Sequence, residues 1–296
     1  MRVLHFTDVH VPIRFTDVPW RQLMGKRALG ALNTQLRRLS KFRDASDKLA
    51  RLAAFVRRER IDLVLCTGDF TVLGTELEYQ AAYAAIAPLL AAPAGFVCVP
   101  GNHDLYVPEA VRARRFERFF GETLRTDWPE YAGVSGWPRI LIVNDEVAVV
   151  SVNSARPNPQ PWRSSGRIPD EDLRSFARLL ADSRLGDRFV FVLTHYGPRR
   201  ADGTSDEYLH GLENADELLT ACASLRRGAL LHGHIHHCYS LALDEPRIRI
   251  FNAGSTTYAG REGLWVFDVD GAQARATRGR WAGRDYEIDP SERYEL

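Results

Sequence analysis

The run Arg2-Val3-Leu4-His5-Phe6-Thr7-Asp8-Val9-His10 decides how the rest of the chain is read. Residues 2–7 form a short, largely apolar stretch that predicts a buried strand. The stretch ends on a carboxylate and an imidazole two residues apart, Asp8 and His10. The same arrangement recurs downstream. Residues 61–66 predict a second strand and run into Thr67-Gly68-Asp69. Residues 96–99 predict a third and lead to Pro100-Gly101-Asn102-His103-Asp104. Residues 189–193 precede Thr194-His195, and residues 229–231 precede Gly233-His234-Ile235-His236. Helical patterns lie between these strands, near 44–59 (Leu49, Leu52, Ala53 and Val56 on one face), 76–90, 108–120, 170–182 and 215–225. Strands alternating with helices predict an α/β core. A hairpin is expected around Asn144-Asp145, and late strands at 248–251 and 264–268 suggest a second sheet with antiparallel character. In open α/β sheets ligands gather at the carboxyl ends of strands. Five of the nine histidines sit at such ends, in glycine or carboxylate company.

Composition narrows the partners. The chain has 296 residues, 45% of them hydrophobic, with 39 Lys+Arg against 38 Asp+Glu for a net charge of +1. That is a globular composition, and a near-neutral balance argues against a general nucleic-acid binder. Cys66, Cys98, Cys222 and Cys238 form no CxxC pair, which fits buried thiols in a reducing, cytoplasmic setting. Polar residues interrupt the first ten positions, unlike a secretory signal. Residues 81–103 carry no Asp, Glu, Lys or Arg, but Pro88, Pro93 and Pro100 break them into a helix, a turn and a strand rather than a membrane span.

The ordered set Asp-x-His, Gly-Asp, Gly-Asn-His-Asp, a separate His and Gly-His-x-His resembles the calcineurin-like metallophosphoesterase family. The blocks run from Asp8 to His236, and Asn252-Ala253-Gly254-Ser255 is similar to a small-residue turn of that family. The resemblance implies a four-layer αββα sandwich of two mixed β-sheets with flanking helices, spanning 1–296 as one domain. It also implies a centre of two divalent transition-metal ions. One would take Asp8, His10, Asp69 and His236; the other would take Asp69, Asn102, His195 and His234, with Asp69 bridging. Carboxylate, amide and imidazole donors suit Mn, Fe, Zn or Co, and no thiolate is offered. Two such ions about 3.5–4 Å apart suit in-line displacement at phosphorus by a shared, acidified water. The resemblance gives His103 a substrate-facing role, stabilising charge or protonating the leaving oxygen, with Asp104 orienting its ring. A turn or helix cap is the plainer alternative for Asp104. His5 and His232 are expected in the core. His237 could contact substrate, and His210 is expected on a surface loop. Arg156, Arg163 and Arg167 in the 153–169 loop are candidate phosphate contacts.

The distance from His10 to Gly68 is long for such a family, which marks an insertion at about 13–45. Residues 20–43 carry Arg21, Lys26, Arg27, Arg37, Arg38, Lys41 and Arg43 with no Asp or Glu, so this stretch holds +7 and the remainder −6. Trp20, Leu23, Met24, Leu29, Leu32, Leu36, Leu39 and Phe42 fall near helical spacing, and Gly25 and Gly30 weaken any single helix. Three readings stand: a helix packed on the domain, an interfacial helix on an anionic membrane surface, or a grip on distant substrate phosphates. The resemblance points to hydrolysis of a phosphodiester or pyrophosphate bond. Its Gly-Asn-His-Asp form is similar to that of bacterial cyclic-nucleotide and glycerophosphodiester phosphodiesterases. Its insertion is similar to the UDP-2,3-diacylglucosamine pyrophosphatases of lipid A synthesis, which act on a lipid-linked substrate peripherally at the membrane. A non-catalytic scaffold on the same fold would have lost ligands, and every position here is filled.

Overall fold

The computed structural model describes residues 1–35 and 39–296. In chain order the elements are β1 (Arg2–Phe6), α1 (Lys26–Asn33), α2 (Ala45–Arg58), β2 (Leu63–Cys66), α3 (Glu76–Ile86), β3 (Gly95–Cys98), α4 (Pro108–Arg112), α5 (Arg115–Phe120), β4 (Arg139–Ile142), β5 (Val147–Ser151), α6 (Asp170–Leu180), β6 (Phe189–Leu193), α7 (Ala215–Cys222), β7 (Gly228–His232), β8 (Cys238–Leu243), β9 (Ile248–Ala253), β10 (Leu264–Asp270), β11 (Gln273–Trp281) and β12 (Tyr286–Glu295).

The strands form two six-stranded mixed sheets, ordered β12-β11-β10-β1-β2-β3 and β4-β5-β6-β7-β9-β8. The parallel strands β1, β2 and β3 are connected through helices, as are β5, β6 and β7. Burial on both faces explains their runs of Val, Leu, Phe and Ile without polar alternation. The late strands divide between the sheets instead of forming one of their own. β7 and β9 run parallel, β8 pairs antiparallel with β9, and β10–β12 extend the first sheet antiparallel from β1.

Aromatic rings hold the sheets face to face. The Phe267 ring of β10 lies 5.1 Å from Phe191 of β6 and 5.0 Å from Phe251 of β9, and Trp265 lies 5.0 Å from Phe251. Outside, α2 buries Leu49, Leu52, Phe55 and Val56 and contacts α3, while α6 contacts α7. The expected 108–120 helix is two short helices, because Arg114 takes a left-handed φ of 48° between them. All four cysteines are buried and unpaired.

The 20–43 stretch is not one amphipathic helix. It comprises a 3₁₀ turn at Trp20–Leu23, α1, and a second 3₁₀ turn at Leu39–Phe42, with a break at Gly25, whose φ is 65°. Arg27 is buried rather than solvated: its guanidinium donates to the carbonyls of Leu73 and Gly74, each at 2.9 Å, and to Glu109 at 3.0 Å. Leu36, Arg37 and Arg38 lie outside the described residues. No helix among the described residues is long and apolar enough to cross a membrane.

The sheet-to-sheet aromatic cluster sets one expectation. Phe267→Ala should destabilise the protein by about 3–5 kcal/mol, the cost of emptying a buried aromatic site. Urea unfolding of the two forms measures it.

Candidate metal centre

The candidate residues converge where strands of the two sheets end. Asp8 and His10 follow β1, Asp69 follows β2, Asn102 and His103 follow β3, His195 follows β6, and His234 and His236 follow β7. Five of them, Asp8, His10, Asp69, His234 and His236, adopt left-handed φ values between 41° and 73°. Non-glycine residues take that region at a cost, and such strain clusters at functional sites. Glycine is required where the loops meet. A Cβ at Gly101 would stand 2.0 Å from Asp69 Oδ1, and one at Gly233 would stand 2.5 Å from Asp8 Oδ2.

Backbone carbonyls fix the histidine tautomers. His10 Nδ1 donates to Thr71 O at 2.9 Å, and His195 Nδ1 donates to Thr67 O at 2.7 Å. His234 Nε2 donates to His210 O at 3.0 Å. A carbonyl accepts only from N–H, so in each neutral ring the other nitrogen is a bare lone pair. Those lone pairs face more acceptors. His10 Nε2 lies 3.7 Å from both Asp8 Oδ1 and Asp69 Oδ2 and 3.4 Å from His236 Nε2. His195 Nε2 lies 3.5 Å from Asp69 Oδ2 and 3.0 Å from Asn102 Oδ1, which is also 3.0 Å from His234 Nδ1. His236 Nε2 stands 2.8 Å from Asp8 Oδ1.

Burial lowers the pKa of His195 and His234, which opposes protonation of these two rings. Burial also opposes ionisation of Asp8, yet the neighbouring His236, 2.8 Å away, holds its carboxyl well below the usual range. The separations, 2.8–3.7 Å, lie around those of neighbouring ligands on one ion, since bonds of about 2.1 Å at 90–109° put donor atoms about 3.0–3.4 Å apart. The donor set therefore fits hard-to-borderline divalent cations. Asp8, His10 and His236 form one cluster, and Asp8, Asp69 and His195 another, each with ligand atoms within 4.8 Å of one another. The Asp69 Oδ2 atom faces both His10 and His195.

The expected pairing of Asp104 with the His103 ring does not occur. Asp104 accepts from the backbone N–H groups of Asp69 (2.9 Å), Phe70 (3.0 Å), Thr71 (3.0 Å) and Gly101 (2.9 Å), and from Thr71 Oγ1 (3.1 Å). It ties the loop after β2 to the loop after β3. Burial pushes its carboxyl up to about 7, against donors that favour the charged form. The His103 ring is oriented instead by Val72 O, 2.6 Å from Nδ1, and stacks on Tyr106.

Other histidines divide as well. His5 and His232 are buried as expected, and burial pushes them down to about 3 and about 4. His237 is exposed and packs near Tyr239. His210 sits on an exposed loop as expected, and it also reaches the site. It lines the same cavity of about 340 Å³ as His103, Asn102 and His236, with its ring 4.2 Å from that of His234 and its Nδ1 2.6 Å from Asp206. Arg156 and Arg163 line that cavity too, whereas Arg167 pairs with Asp170 outside it. Lys26, from the basic 20–43 stretch, and Tyr106, which no local motif marked, also line it. The 252–257 turn supports the centre from behind. Ser255 Oγ donates to Asp8 O at 2.7 Å, Thr256 Oγ1 to Thr7 O at 2.8 Å, and Asn252 Nδ2 to Gly233 O at 2.6 Å.

A family model for calcineurin-like phosphoesterase matches residues 1–238, and the chain belongs to that family. It is a metal-dependent hydrolase of phosphoester bonds that works with two divalent ions. The fold is shared with a dimetal phosphatase from Danio rerio, 14% identical at a TM-score of 0.65 over 97% of this chain and 98% of that one. It is shared too with purple acid phosphatase PPD1 from yellow lupin seeds, 11% identical at 0.62 over 99% of this chain and 53% of that one. A comparison with curated proteins finds no match.

Asp104→Ala tests the brace. Stranding buried amides costs about 1–3 kcal/mol each, so the variant should unfold at clearly lower temperature and retain less metal. A variant of native stability and metal content, with turnover alone reduced, would restore the ring-orienting role.

Proposed function

We propose that the chain hydrolyses a phosphodiester or phosphoanhydride bond, with Asp8, His10, Asp69 and His236 holding one divalent ion and Asp69, Asn102, His195 and His234 the other. The observation that carries this reading is the convergence of carbonyl-fixed imidazole lone pairs on buried carboxylates, which only cations neutralise. The first sheet joins β1–β3 to β10–β12, from the two ends of the chain, which supports reading 1–296 as one domain with an insertion at about 13–45. Mn, Fe, Zn and Co all suit the donors, and a cytoplasmic setting suits four unpaired thiols.

When bound, such ions supply an acidified water as nucleophile and offset charge on the phosphoryl oxygens. The protein's own residues set direction. Asp69 spans the two ligand groups and accepts the His103 N–H at 2.8 Å, which locks the nucleophile side to the His103 side of the cavity. Val72 O holds the Nδ1 proton of His103, so a proton taken up at Nε2, in the imidazolium form, is the one passed to the leaving oxygen. The rigid loops keep these groups in place before substrate arrives.

Metal analysis after reconstitution should give close to two ions per chain. Asp69→Asn should abolish hydrolysis of bis(p-nitrophenyl) phosphate. His103→Ala should lower kcat about 10²–10⁴-fold, the usual share of a general acid, with metal content kept. Loss of a metal in His103→Ala would reassign that residue.

A second reading, an amphiphilic substrate met at an anionic membrane surface, is favoured by one observation. Trp20, Met24, Leu29 and Leu32 are 68%, 63%, 56% and 58% exposed. Lys26 and Asn33 of the same stretch line the cavity. Apolar side chains beside cations suit an interface. Flotation with vesicles containing anionic lipid should carry the intact chain and leave a Trp20→Ser, Met24→Ser, Leu29→Ser, Leu32→Ser variant behind. Equal flotation of both forms would remove this reading.

A further inference from the structure

The cavity that holds the metal ligands has a second, cationic wall. Arg156 and Arg163 both donate to one oxygen of Glu213, Oε1. Arg163 Nε also donates to Ser165 Oγ at 2.8 Å, and Ser165 Oγ donates to the same Glu213 oxygen at 2.9 Å. From the opposite side, Lys26 Nζ donates to Asn158 O at 2.8 Å and sits 4.4 Å from the Tyr106 ring centre. Its ion pairs among the described residues include no carboxylate, and burial pushes its ammonium down to about 8. On this wall three cations stand against the single charge of Glu213, in a cavity of about 340 Å³ whose other wall holds Asp69.

This wall is built rather than loose. Asn158 Nδ2 donates to Ser165 O at 2.9 Å, Ser164 N to Leu209 O at 2.9 Å and Gly166 N to Gly211 O at 3.0 Å. The loop therefore presents its guanidinium groups in fixed positions, and preorganised donors spend little ordering entropy on a ligand. Paired guanidiniums with five N–H donors each match the oxygens of a phosphoryl group. A substrate with one phosphorus places its only charge at the metal ligands and leaves this wall unused.

We propose that Arg156, Arg163 and Lys26 form a second anion subsite, which takes the other phosphoryl group of a phosphoanhydride-linked substrate. The assignment rests on the phosphohydrolase reading above and narrows it to diphosphate esters over cyclic nucleotides and glycerophosphodiesters. In the reaction, water forms a new P–O bond at the phosphorus beside the metal ligands. The P–O–P bridge breaks, and its oxygen leaves with the second phosphorus as a phosphate monoester held by the arginines. The protons released pass to solvent.

AMP and ADP share a nucleoside and differ by one phosphoryl group, so their inhibition of bis(p-nitrophenyl) phosphate hydrolysis by the metal-loaded full chain reads the subsite. ADP should inhibit at least 10-fold more tightly than AMP. Arg163→Gln and Lys26→Gln should each shrink that ratio at least threefold, and Arg163→Lys should keep most of it. Metal chelation by ADP would leave the ratio unchanged in these variants. Lys26→Gln removes one bond to a carbonyl, so it serves if Arg163→Gln fails to fold. Equal inhibition by AMP and ADP, or a ratio unmoved in both Gln variants, overturns the subsite. Absence of bis(p-nitrophenyl) phosphate hydrolysis by the metal-loaded wild type overturns the phosphohydrolase reading instead.

Discussion

A buried surplus of hydrogen-bond acceptors governs this structure. Asp8 and Asp69 are 0% and 1% exposed, and their ligand atoms lie within 4.8 Å of each other and of His195. At an effective dielectric near 20, two unit charges at that distance repel by at least about 3 kcal/mol. The imidazoles add lone pairs, because Thr67, Thr71 and His210 carbonyls have already taken their protons. Left alone, such a cluster would open. It is held shut by donors placed behind it: five into Asp104, and hydroxyls of Ser255, Thr256 and Thr257 into the carbonyls of residues 7–9. The left-handed backbone at five of these residues belongs to the same balance. Cations on the front face and donors on the back face are complementary answers to one electrostatic load.

This division explains what could be read in the sequence. The residues proposed as ligands on the front face each follow an apolar strand, so their convergence is a matter of strand order and needs no knowledge of side-chain contacts. Asp8, Asp69, Asn102, His195 and His234 were legible for that reason, as was the alternation that gives two mixed sheets. The back face was not. Asp104 looks like a partner for its neighbour His103, but its bonds reach Asp69, Phe70 and Thr71, more than thirty residues away. His210 reads as a surface loop residue because nothing local marks it for the cavity, beside which Gly166 and Leu212 bridge its loop to the 153–169 loop. The late strands carry no signal of which sheet they join, since β9 and β10 are equally apolar.

The insertion shows how charge counting misleads without burial. Seven cations in 20–43 suggest a basic rim. Arg27 is instead spent inside, on the carbonyls of Leu73 and Gly74, and Lys26 turns toward the cavity. Only part of the stretch's charge is therefore left for a membrane or for solvent. Its apolar residues divide too: Phe42 packs 5.1 Å from the His10 ring, while Trp20 and Met24 face outward.

The insertion is thereby joined to the proposed acid. The backbone of residues 71–74 is almost fully committed. Thr71 N–H goes to Asp104, the Val72 and Leu73 N–H groups go to the buried Glu78, and the Leu73 and Gly74 carbonyls go to Arg27. Val72 O is the carbonyl left over, and it takes His103 Nδ1. A Cβ at Gly30 would stand 2.6 Å from both Leu73 and Tyr106, so α1 lies directly against this loop and against the ring that stacks on His103. Arg27 of α1 and Glu78 of α3 both bond to the loop that carries Val72 O. α1, which exposes Leu29 and Leu32 on its outer side, therefore packs on its inner side against the loop that orients the His103 imidazole.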